Sequence, residues 1–106
     1  MKGINNKNAL ITAGATGIGK ATAVALMSAG ARVHVCDIDA HALDTLKQQY
    51  PQLSTSVTNV AQPDEVAQMF HQLDQDFAGK LDFLVNNAGI SGPAGPPARG
   101  ARPQAD

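Results

Sequence analysis

Short apolar runs, several of them rich in β-branched residues, alternate with helical patterns along this chain of 106 residues. Four of these runs are predicted to be strands, at 10–11, 32–36, 54–60 and 81–85. The segments between them are predicted to be helices, the second ended by Pro51 and the third by Gly79. The order β-α-β-α-β-α-β predicts an α/β fold, because such alternation supports parallel strands joined by right-handed helical crossovers.

Each predicted helix carries an apolar face. In the first helix, which is expected to begin at residue 18, the recurring positions are Ile18, Ala21, Ala25 and Ser28. In the second helix they are Ala42, Leu43, Leu46 and Tyr50, and in the third they are Val66, Met69, Phe70, Leu73 and Phe77. These spacings follow the helical period, so we expect the helices to cover both faces of a parallel sheet.

The composition excludes several classes of function. A net charge of −1 with scattered Lys and Arg residues offers no basic surface to a nucleic acid or to an anionic membrane. No apolar run is long enough to span a bilayer, and the polar start lacks the apolar core of a signal peptide, so we expect a cytoplasmic protein. Cys36 is expected to be an inert buried thiol, and the histidines lack metal-ligand spacing, so no metal site is expected.

The turn over residues 12–19, between the first strand and the first helix, is suited to a phosphate. Its glycines let the backbone approach a ligand closely, and the helix that follows presents N–H groups to an anion. One interpretation is a P-loop, G-x-x-x-x-G-K-[ST], which Gly14, Gly19 and Lys20 match. An alanine follows where that motif needs a hydroxyl, and Thr22 lies one residue late, about 100° further around the helix. The P-loop is therefore the less favoured interpretation.

A dinucleotide site is the second interpretation of the same turn. Asp37 lies at the carboxyl end of the second predicted strand, where a carboxylate can accept hydrogen bonds from the adenosine ribose hydroxyls. The strict G-x-G-x-x-G pattern fails, because Thr22 stands where a small residue is needed. The carboxylate would repel a 2′-phosphate and no arginine lies nearby, so NAD is favoured over NADP. A solvated carboxylate without a ligand is the alternative role for Asp37.

Two motifs occur together in this order. The turn Thr12-Ala13-Gly14-Ala15-Thr16-Gly17-Ile18-Gly19 is similar to T-G-x-x-x-G-x-G, with Ala13 in place of the first glycine and Gly14 beside it. After the fourth predicted strand, Asn86-Asn87-Ala88-Gly89 matches N-N-A-G. On these two motifs the chain resembles the short-chain dehydrogenases/reductases. The resemblance covers residues 8 to about 93, which corresponds to the cofactor-binding half of a family member.

This resemblance implies the first half of a Rossmann-type doubly wound parallel sheet, with strand order 3-2-1-4. It implies an NAD(P)-binding half-domain over residues 1–90. The following segment, 91–106, is rich in Pro, Gly and Ala, and its composition predicts disorder. The fourth strand would leave an open apolar edge at residues 83–85, and the family's oligomer interface would be largely absent, so we expect an unstable monomer that tends to aggregate.

The resemblance also implies which residues contact the cofactor. The pyrophosphate would lie against Gly14, Ala15, Thr16, Gly17, Ile18 and Gly19. The adenosine ribose would be held by Asp37 and Ile38, and the adenine by Asn59 and Val60. The pocket near the nicotinamide ribose would be lined by Asn87, Ala88 and Gly89. Stabilising the end of the fourth strand is an equally open role for the asparagines.

The family's catalytic residues have no counterpart in this chain. Its chemistry uses a serine, an asparagine and Y-x-x-x-K downstream of N-N-A-G, whereas the single tyrosine here is Tyr50, with Ser54 in place of the lysine. Tyr50 is expected to pack, and no catalytic residue is assigned. By resemblance we expect an NAD-dependent oxidoreductase that is inactive as this chain. The alternatives are a non-catalytic dinucleotide-binding module and, third, a P-loop nucleotide hydrolase. We hypothesise that a reading-frame disruption near residue 95 truncated a longer dehydrogenase.

Overall fold

The computed structural model describes residues 4–87, which alternate between strand and helix. In chain order the elements are β1 (Asn8–Thr12), α1 (Gly17–Ser28), β2 (Arg32–Asp37), α2 (Ala40–Gln49), β3 (Ser54–Val57), α3 (Pro63–Asp76) and β4 (Phe83–Asn86). The predicted domain boundary at residue 90 and the segment 91–106, predicted to be disordered, lie outside the described residues.

The four strands form one parallel sheet in the order β3-β2-β1-β4, which confirms the predicted α/β fold and strand order. β1 lies inside the sheet, with Ile11 paired to Val35 of β2 on one side and to Val85 of β4 on the other. Every residue of β1 is buried. Because the strands are parallel, their carboxyl ends meet at one edge of the sheet, which is where ligands bind in open α/β sheets.

Helices cover both faces of the sheet, as predicted. On one face α1 and α2 enclose a cluster that includes Ala9, Ile11, Ala23, Val33, Val35, Leu43 and Leu46. On the other face α3 contributes to a smaller cluster of Leu10, Cys36, Met69, Leu73 and Phe77. Neighbouring strand residues such as Leu10 and Ile11 belong to different clusters, because successive side chains of a strand point to opposite faces.

The predicted apolar face of α1 is wrong. The positions exposed to solvent include Ile18, Ala21, Ala25 and Ser28. The face that meets the sheet carries Gly19 and Ala23, while Leu26 and Met27 pack against the core beside them. Because α1 is rich in small apolar residues all round, its sequence pattern does not select an orientation. The close approach of α1 to the sheet selects the orientation, and it places the smallest side chains inward.

The apolar face of α2 is confirmed, since Leu43 and Leu46 are buried and Tyr50 packs against the same cluster. The face of α3 is confirmed only in part. Its buried residues are Met69 and Leu73, followed by Phe77 directly after the helix. Phe70, expected on that face, is 41% exposed.

β3 is shorter than predicted and ends at Val57 rather than at residue 60. Asn59 turns the chain there, because its side-chain oxygen accepts a hydrogen bond from the Ala61 N–H at 2.9 Å. Its backbone oxygen accepts another from the Gln62 N–H at 2.9 Å. A side chain that bonds its own following backbone competes with the ladder, so the strand stops before it.

β4 begins at Phe83, two residues later than predicted. The Asp82 carboxylate accepts a hydrogen bond from the Asn8 N–H at 2.8 Å, and the Asp82 N–H donates to the Asn8 carbonyl at 2.9 Å. The bond from Asn8 also lowers the pKa of Asp82, with the nearby Lys80 adding to the effect. A hydrogen bond to the Asp82 side chain thus takes the place of the first backbone hydrogen bond between β1 and β4.

His34 of β2 is a fully buried polar residue on the α3 face of the sheet. Its Nδ1 lies 2.6 Å from the Ser54 hydroxyl and its Nε2 lies 2.8 Å from the Ser56 hydroxyl, both on β3. Burial lowers the pKa of His34 to about 4, against a smaller opposing effect of Asp76. The folded chain therefore holds this ring neutral at pH values where the unfolded chain protonates it.

We expect stability to fall on acidification through this histidine. Its folded pKa lies below the unfolded value of 6.5, so the stabilisation is complete above about pH 6.5 and declines as the pH falls toward 4. Between pH 7.5 and 5 the free energy of unfolding should drop by roughly 2 kcal/mol from His34 alone. Urea melts across this range measure it, comparing His34→Gln with His41→Gln at an exposed site. Equal slopes in the two variants would contradict the assignment.

The outer side of β4 is an edge of the described sheet, as predicted. Two of its apolar side chains are exposed, Leu84 by 57% and Phe83 by 37%. A strand edge with apolar side chains and free backbone groups is a template for pairing with another chain. Aggregation of the chain stays a prediction.

The substitution Leu84→Lys tests that prediction. A charge on this edge should lower the fraction of self-associated chain at a given concentration, because pairing would bury the lysine. Val57→Lys is the matched control, since Val57 is 58% exposed at the end of the opposite edge strand. Analytical ultracentrifugation of both variants gives the result. A decrease with Val57→Lys and none with Leu84→Lys would place self-association elsewhere.

Candidate functional site

The β1–α1 turn leads from the centre of the sheet into the first helix. Two of its residues have left-handed backbone angles, Ala13 with φ +53° and Gly17 with φ +60°. Thr16 is the N-cap of α1, and its side chain makes no capping hydrogen bond among the described residues. The first N–H groups of α1 thus lack the side-chain acceptor that usually satisfies one of them, which leaves them suited to an anion.

Two glycines allow this turn to pack. A Cβ on Gly14 would lie 2.7 Å from Val35 Cγ1, so this residue sits directly on the core beneath the turn. A Cβ on Gly19 would lie 2.4 Å from the Ala13 carbonyl oxygen and 2.8 Å from the Gly14 Cα. At Gly17, by contrast, no atom lies within 4 Å of the Cβ position, so this side of the turn is open. Gly14 and Gly19 therefore allow close packing, whereas Gly17 leaves open space beside the turn.

Asp37 ends β2 beside this turn. One carboxylate oxygen accepts a hydrogen bond from the Ala15 N–H at 3.2 Å, and the other accepts one from the Asp39 N–H at 3.1 Å. These bonds tie the end of β2 to the glycine turn and hold the carboxylate in one orientation. Each oxygen has a further lone pair, so the group can still accept hydrogen bonds from a ligand.

A cleft of about 360 Å³ opens beside Asp37, at the carboxyl ends of β2 and β3. Its lining includes Thr16, Asp37, Ile38, Asn59 and Val60, which are five of the residues expected to contact the cofactor. Ile38 is exposed by 70% and Val60 by 41%, so the cleft offers apolar surface as well as polar groups. The structure thus brings together residues that are far apart in the sequence.

The other expected contacts lie around the turn rather than in this cleft. Ala15 is buried and Ile18 is 80% exposed, at the start of α1. Asn87 follows β4, with its N–H bonded to the Thr12 hydroxyl at 2.9 Å and its buried Nδ2 without a hydrogen-bond partner among the described residues. Ala88 and Gly89 lie outside the described residues.

The family model for short chain dehydrogenases matches residues 7–101. The chain belongs to the short-chain dehydrogenase family. A tropinone reductase homolog from Arabidopsis thaliana is 37% identical over 91 residues, which are 82% of this chain and 30% of that protein. A short chain dehydrogenase/reductase from Colletotrichum higginsianum is 36% identical over 92 residues, which are 83% of this chain and 34% of that protein. The family is one of NAD(P)-dependent oxidoreductases.

Solved structures of dehydrogenases share the fold. One from Bacillus anthracis has a TM-score of 0.74 and 31% identity, over 80% of this chain and 35% of its own. The 2-keto-3-deoxy-D-gluconate dehydrogenase from Streptococcus agalactiae has a TM-score of 0.73 and 35% identity, over 82% of this chain and 34% of its own. The chain therefore spans about a third of the length of the relatives it matches.

The P-loop interpretation has no support in the geometry of this family member. The Thr22 hydroxyl donates to the Ile18 carbonyl of its own helix at 2.8 Å, so it points along α1 rather than toward a metal ion. The Lys20 ammonium donates to the Gln49 side chain at the end of α2, 3.1 Å away. Both groups that a P-loop would use on phosphate and Mg²⁺ are engaged elsewhere.

Sequence reasoning missed four residues that line the cleft. They are Ala13, Cys36, Thr58 and Ala61. Each directly precedes or follows a residue that was predicted. Cys36 lies on β2 and Thr58 directly follows β3, so the pairing of these two strands was the available signal. Burial, and next the charge of Asp37, raise the pKa of the Cys36 thiol to about 11, which agrees with the expected inert thiol.

The described part of the chain contains neither a cluster of metal ligands nor a membrane-spanning helix. Within residues 4–87 no group of three or more His, Cys, Asp or Glu side chains is placed to hold a metal ion. None of the helices in that range has the length and hydropathy needed to cross a membrane. Tyr50 packs against the core, as expected, and lies away from the cleft.

We expect Ala13→Gly to stabilise the chain. Ala13 stands where the family pattern has its first glycine, and its φ of +53° is strained for a residue with a Cβ. Relief of that strain should outweigh the added freedom of the unfolded chain and raise the free energy of unfolding by about 1 kcal/mol. Denaturant melts measure it. The control is Ala29→Gly, at φ −86°, which should destabilise the chain. Stabilisation by both, or by neither, would contradict the strain at Ala13.

Proposed function

We propose that this chain binds NAD through the β1–α1 turn and the adjoining cleft, as the cofactor-binding part of a short-chain dehydrogenase. The observation that carries this proposal is Asp37, held at the carboxyl end of β2 between the glycine turn and the cleft. In this position the carboxylate suits the two hydroxyls of the adenosine ribose. Ile38, exposed beside it, suits the apolar face of the adenine ring.

The turn supports a pyrophosphate in the same proposal. Residues 14–19 would surround it, with the uncapped N-terminus of α1 supplying N–H donors and the positive end of the helix dipole. Gly17 fits this role, because a side chain there would project into space that is open. The nicotinamide ribose would then lie toward Asn87, Ala88 and Gly89, beyond the end of β4.

NAD is preferred to NADP in this proposal. A 2′-phosphate would lie next to the Asp37 carboxylate, and the two negative groups would repel each other. None of the described residues that line the cleft is basic, so no cation offsets that repulsion. The 2′-hydroxyl of NAD, by contrast, donates a hydrogen bond to the carboxylate.

The activity we propose for the whole protein is hydride transfer between a nicotinamide cofactor and an alcohol or carbonyl substrate, the chemistry that a bound NAD supplies. The residues assigned in this chain bind and orient the cofactor, and none is assigned to proton transfer. A non-catalytic dinucleotide-binding module is the second candidate, favoured by the single tyrosine, which packs against the core away from the cleft. The cytoplasm remains the expected compartment.

Asp37→Asn tests the cofactor preference. The variant keeps an oxygen that can accept from the Ala15 N–H but loses the charge. We expect NADH to bind about tenfold more weakly and the preference for NADH over NADPH to shrink, because a charged acceptor is lost. Fluorescence titration of both cofactors measures it. Asp44→Asn, on the exposed surface of α2, is the control and should leave both affinities unchanged.

Two further titrations separate the candidate functions. Tighter binding of NADPH than of NADH by the unmodified chain would overturn the proposed preference. Binding of ATP with Mg²⁺ but of neither dinucleotide would overturn the dinucleotide site itself. An assay of hydride transfer with NADH and simple carbonyl compounds is expected to give no turnover with this chain. Turnover would show that residues not assigned here support catalysis.

A further inference from the structure

A second cleft opens at the amino ends of β2 and β3, at the opposite edge of the sheet from the cleft beside Asp37. Its volume is about 280 Å³, close to the lower limit of roughly 300 Å³ for pockets that take small molecules. Arg32 begins β2, Ser54 begins β3 and Asp76 ends α3. The lining of this amino-end cleft includes these three polar residues together with Met27, Val33 and Phe77. None of them is among the residues proposed to contact the cofactor.

The guanidinium of Arg32 is held in place from one side. Its Nε donates a hydrogen bond to the Asn8 side-chain oxygen at 2.8 Å, and its central carbon lies 5.7 Å from the centre of the Phe77 ring. Asn8 is itself buried, and its Nδ2 donates to the Lys80 carbonyl at 2.8 Å. None of residues 4–87 accepts a hydrogen bond from the two terminal NH₂ groups of Arg32. An arginine anchored in this way keeps two parallel donors for a carboxylate.

The carboxylate of Asp76 lines the same cleft. Its charge raises the pKa of His34, against the larger effect of burial, so it lies near the pair of strands β2 and β3. Within the described part of the chain the ion pair joins Lys80 to Asp82, and Arg32 and Asp76 lie too far apart to form another. The amino-end cleft therefore holds one positive and one negative group, and neither is neutralised by direct contact with the other.

These opposite charges select the class of ligand. A simple anion on Arg32 would be repelled by the Asp76 carboxylate, and a simple cation on Asp76 would be repelled by the guanidinium. An α-amino acid carries a carboxylate and an ammonium on one carbon, so it can bridge the two groups. The amide of Gln52, which also lines the cleft, is neutral and does not alter this balance. Met27 is partly exposed in the apolar part of the lining, which suits an apolar side chain of the ligand.

We propose that the amino-end cleft binds a free α-amino acid with an apolar side chain. The carboxylate of the ligand pairs with the terminal NH₂ groups of Arg32, its ammonium pairs with the carboxylate of Asp76, and its side chain lies against Met27. The site is separate from the cofactor cleft and does not depend on the proposed function. Because this ligand contacts both the beginning of β2 and the end of α3, it stabilises the folded chain.

L-leucine and two of its analogues test the class of ligand. Isocaproate is leucine without the ammonium, and isoamylamine is leucine without the carboxylate. We expect leucine to bind about fivefold more tightly than either, since a bidentate pair with arginine contributes more than an ordinary surface ion pair. NMR titration of the nitrogen-labelled chain gives the affinities. The amide signals of Arg32, Gln52 and Asp76 should move, while those of Ile38 and Asn59 should stay unchanged.

The analogues also define the results that overturn the proposal. Binding of isocaproate as tight as that of leucine would indicate an anion site, and equally tight binding of isoamylamine would indicate a cation site. Either of these results contradicts an amino-acid site. So does the absence of any shift with leucine, or a set of shifts that leaves the cleft residues unchanged.

Two substitutions separate the roles of the charges. Asp76→Asn should weaken the binding of leucine about fivefold and leave isocaproate at least as tightly bound, because the repelling charge is gone. Arg32→Gln should weaken leucine to a similar extent and leave isoamylamine at least as tightly bound. Asp74→Asn and Lys80→Gln make the same changes of charge outside the cleft and are the controls. A general disturbance of the fold would instead weaken all three ligands together.

Asp76 is exposed at the end of α3, so its substitution decides the proposal even where Arg32→Gln lowers stability through the contacts with Asn8 and Phe77. Circular dichroism and urea melts give the folded fraction of each variant. An unchanged affinity for leucine in folded Asp76→Asn overturns the amino-acid site. Binding of leucine without binding of NADH would contradict the proposed function and leave this site in place, and the reverse result would overturn this site alone.

Discussion

The backbone of α1 packs against the two residues that directly follow β1, with no side chain between them. Gly19 lies so close to Ala13 and Gly14 that a single added carbon would overlap the carbonyl oxygen and the Cα of these residues. This contact fixes where the helix begins and brings its N-terminus to the carboxyl end of β1. The cleft beside Asp37 follows from it, because the Ala15 N–H within the same turn holds that carboxylate.

The strain at Ala13 belongs to the same constraint. The turn needs a left-handed residue directly after β1, and this chain supplies an alanine where its relatives' pattern has a glycine. Gly14, one position later, cannot take over that role, since it is packed on Ile11 and Val35. The glycine therefore stands one residue after the position at which the backbone needs left-handed angles. The alanine at that position costs the folded chain about 1 kcal/mol.

Much of the fold could be predicted because the alternation of strands and helices leaves few topologies open, and the order β3-β2-β1-β4 was among them. The buried face of α1 could not be predicted, since alanines occur on several sides of that helix. Only contact with the sheet distinguishes Ala23 from Ala25. In the candidate site, motif and spacing located Asp37. Thr58 escaped prediction, because its place beside Asp37 follows only from the pairing of β2 with β3.

β1 is buried along its whole length and has a neighbour on each side, whereas β3 and β4 lie at the edges of the described sheet. Local opening of a sheet begins where strands have one neighbour, so the edges should separate at a lower free energy than β1. The turn that would hold the pyrophosphate is attached to β1, but the cleft that would hold adenine is built partly on the segment that directly follows β3. The two halves of the site therefore belong to regions of different local stability, and the adenine half is the one exposed to fraying.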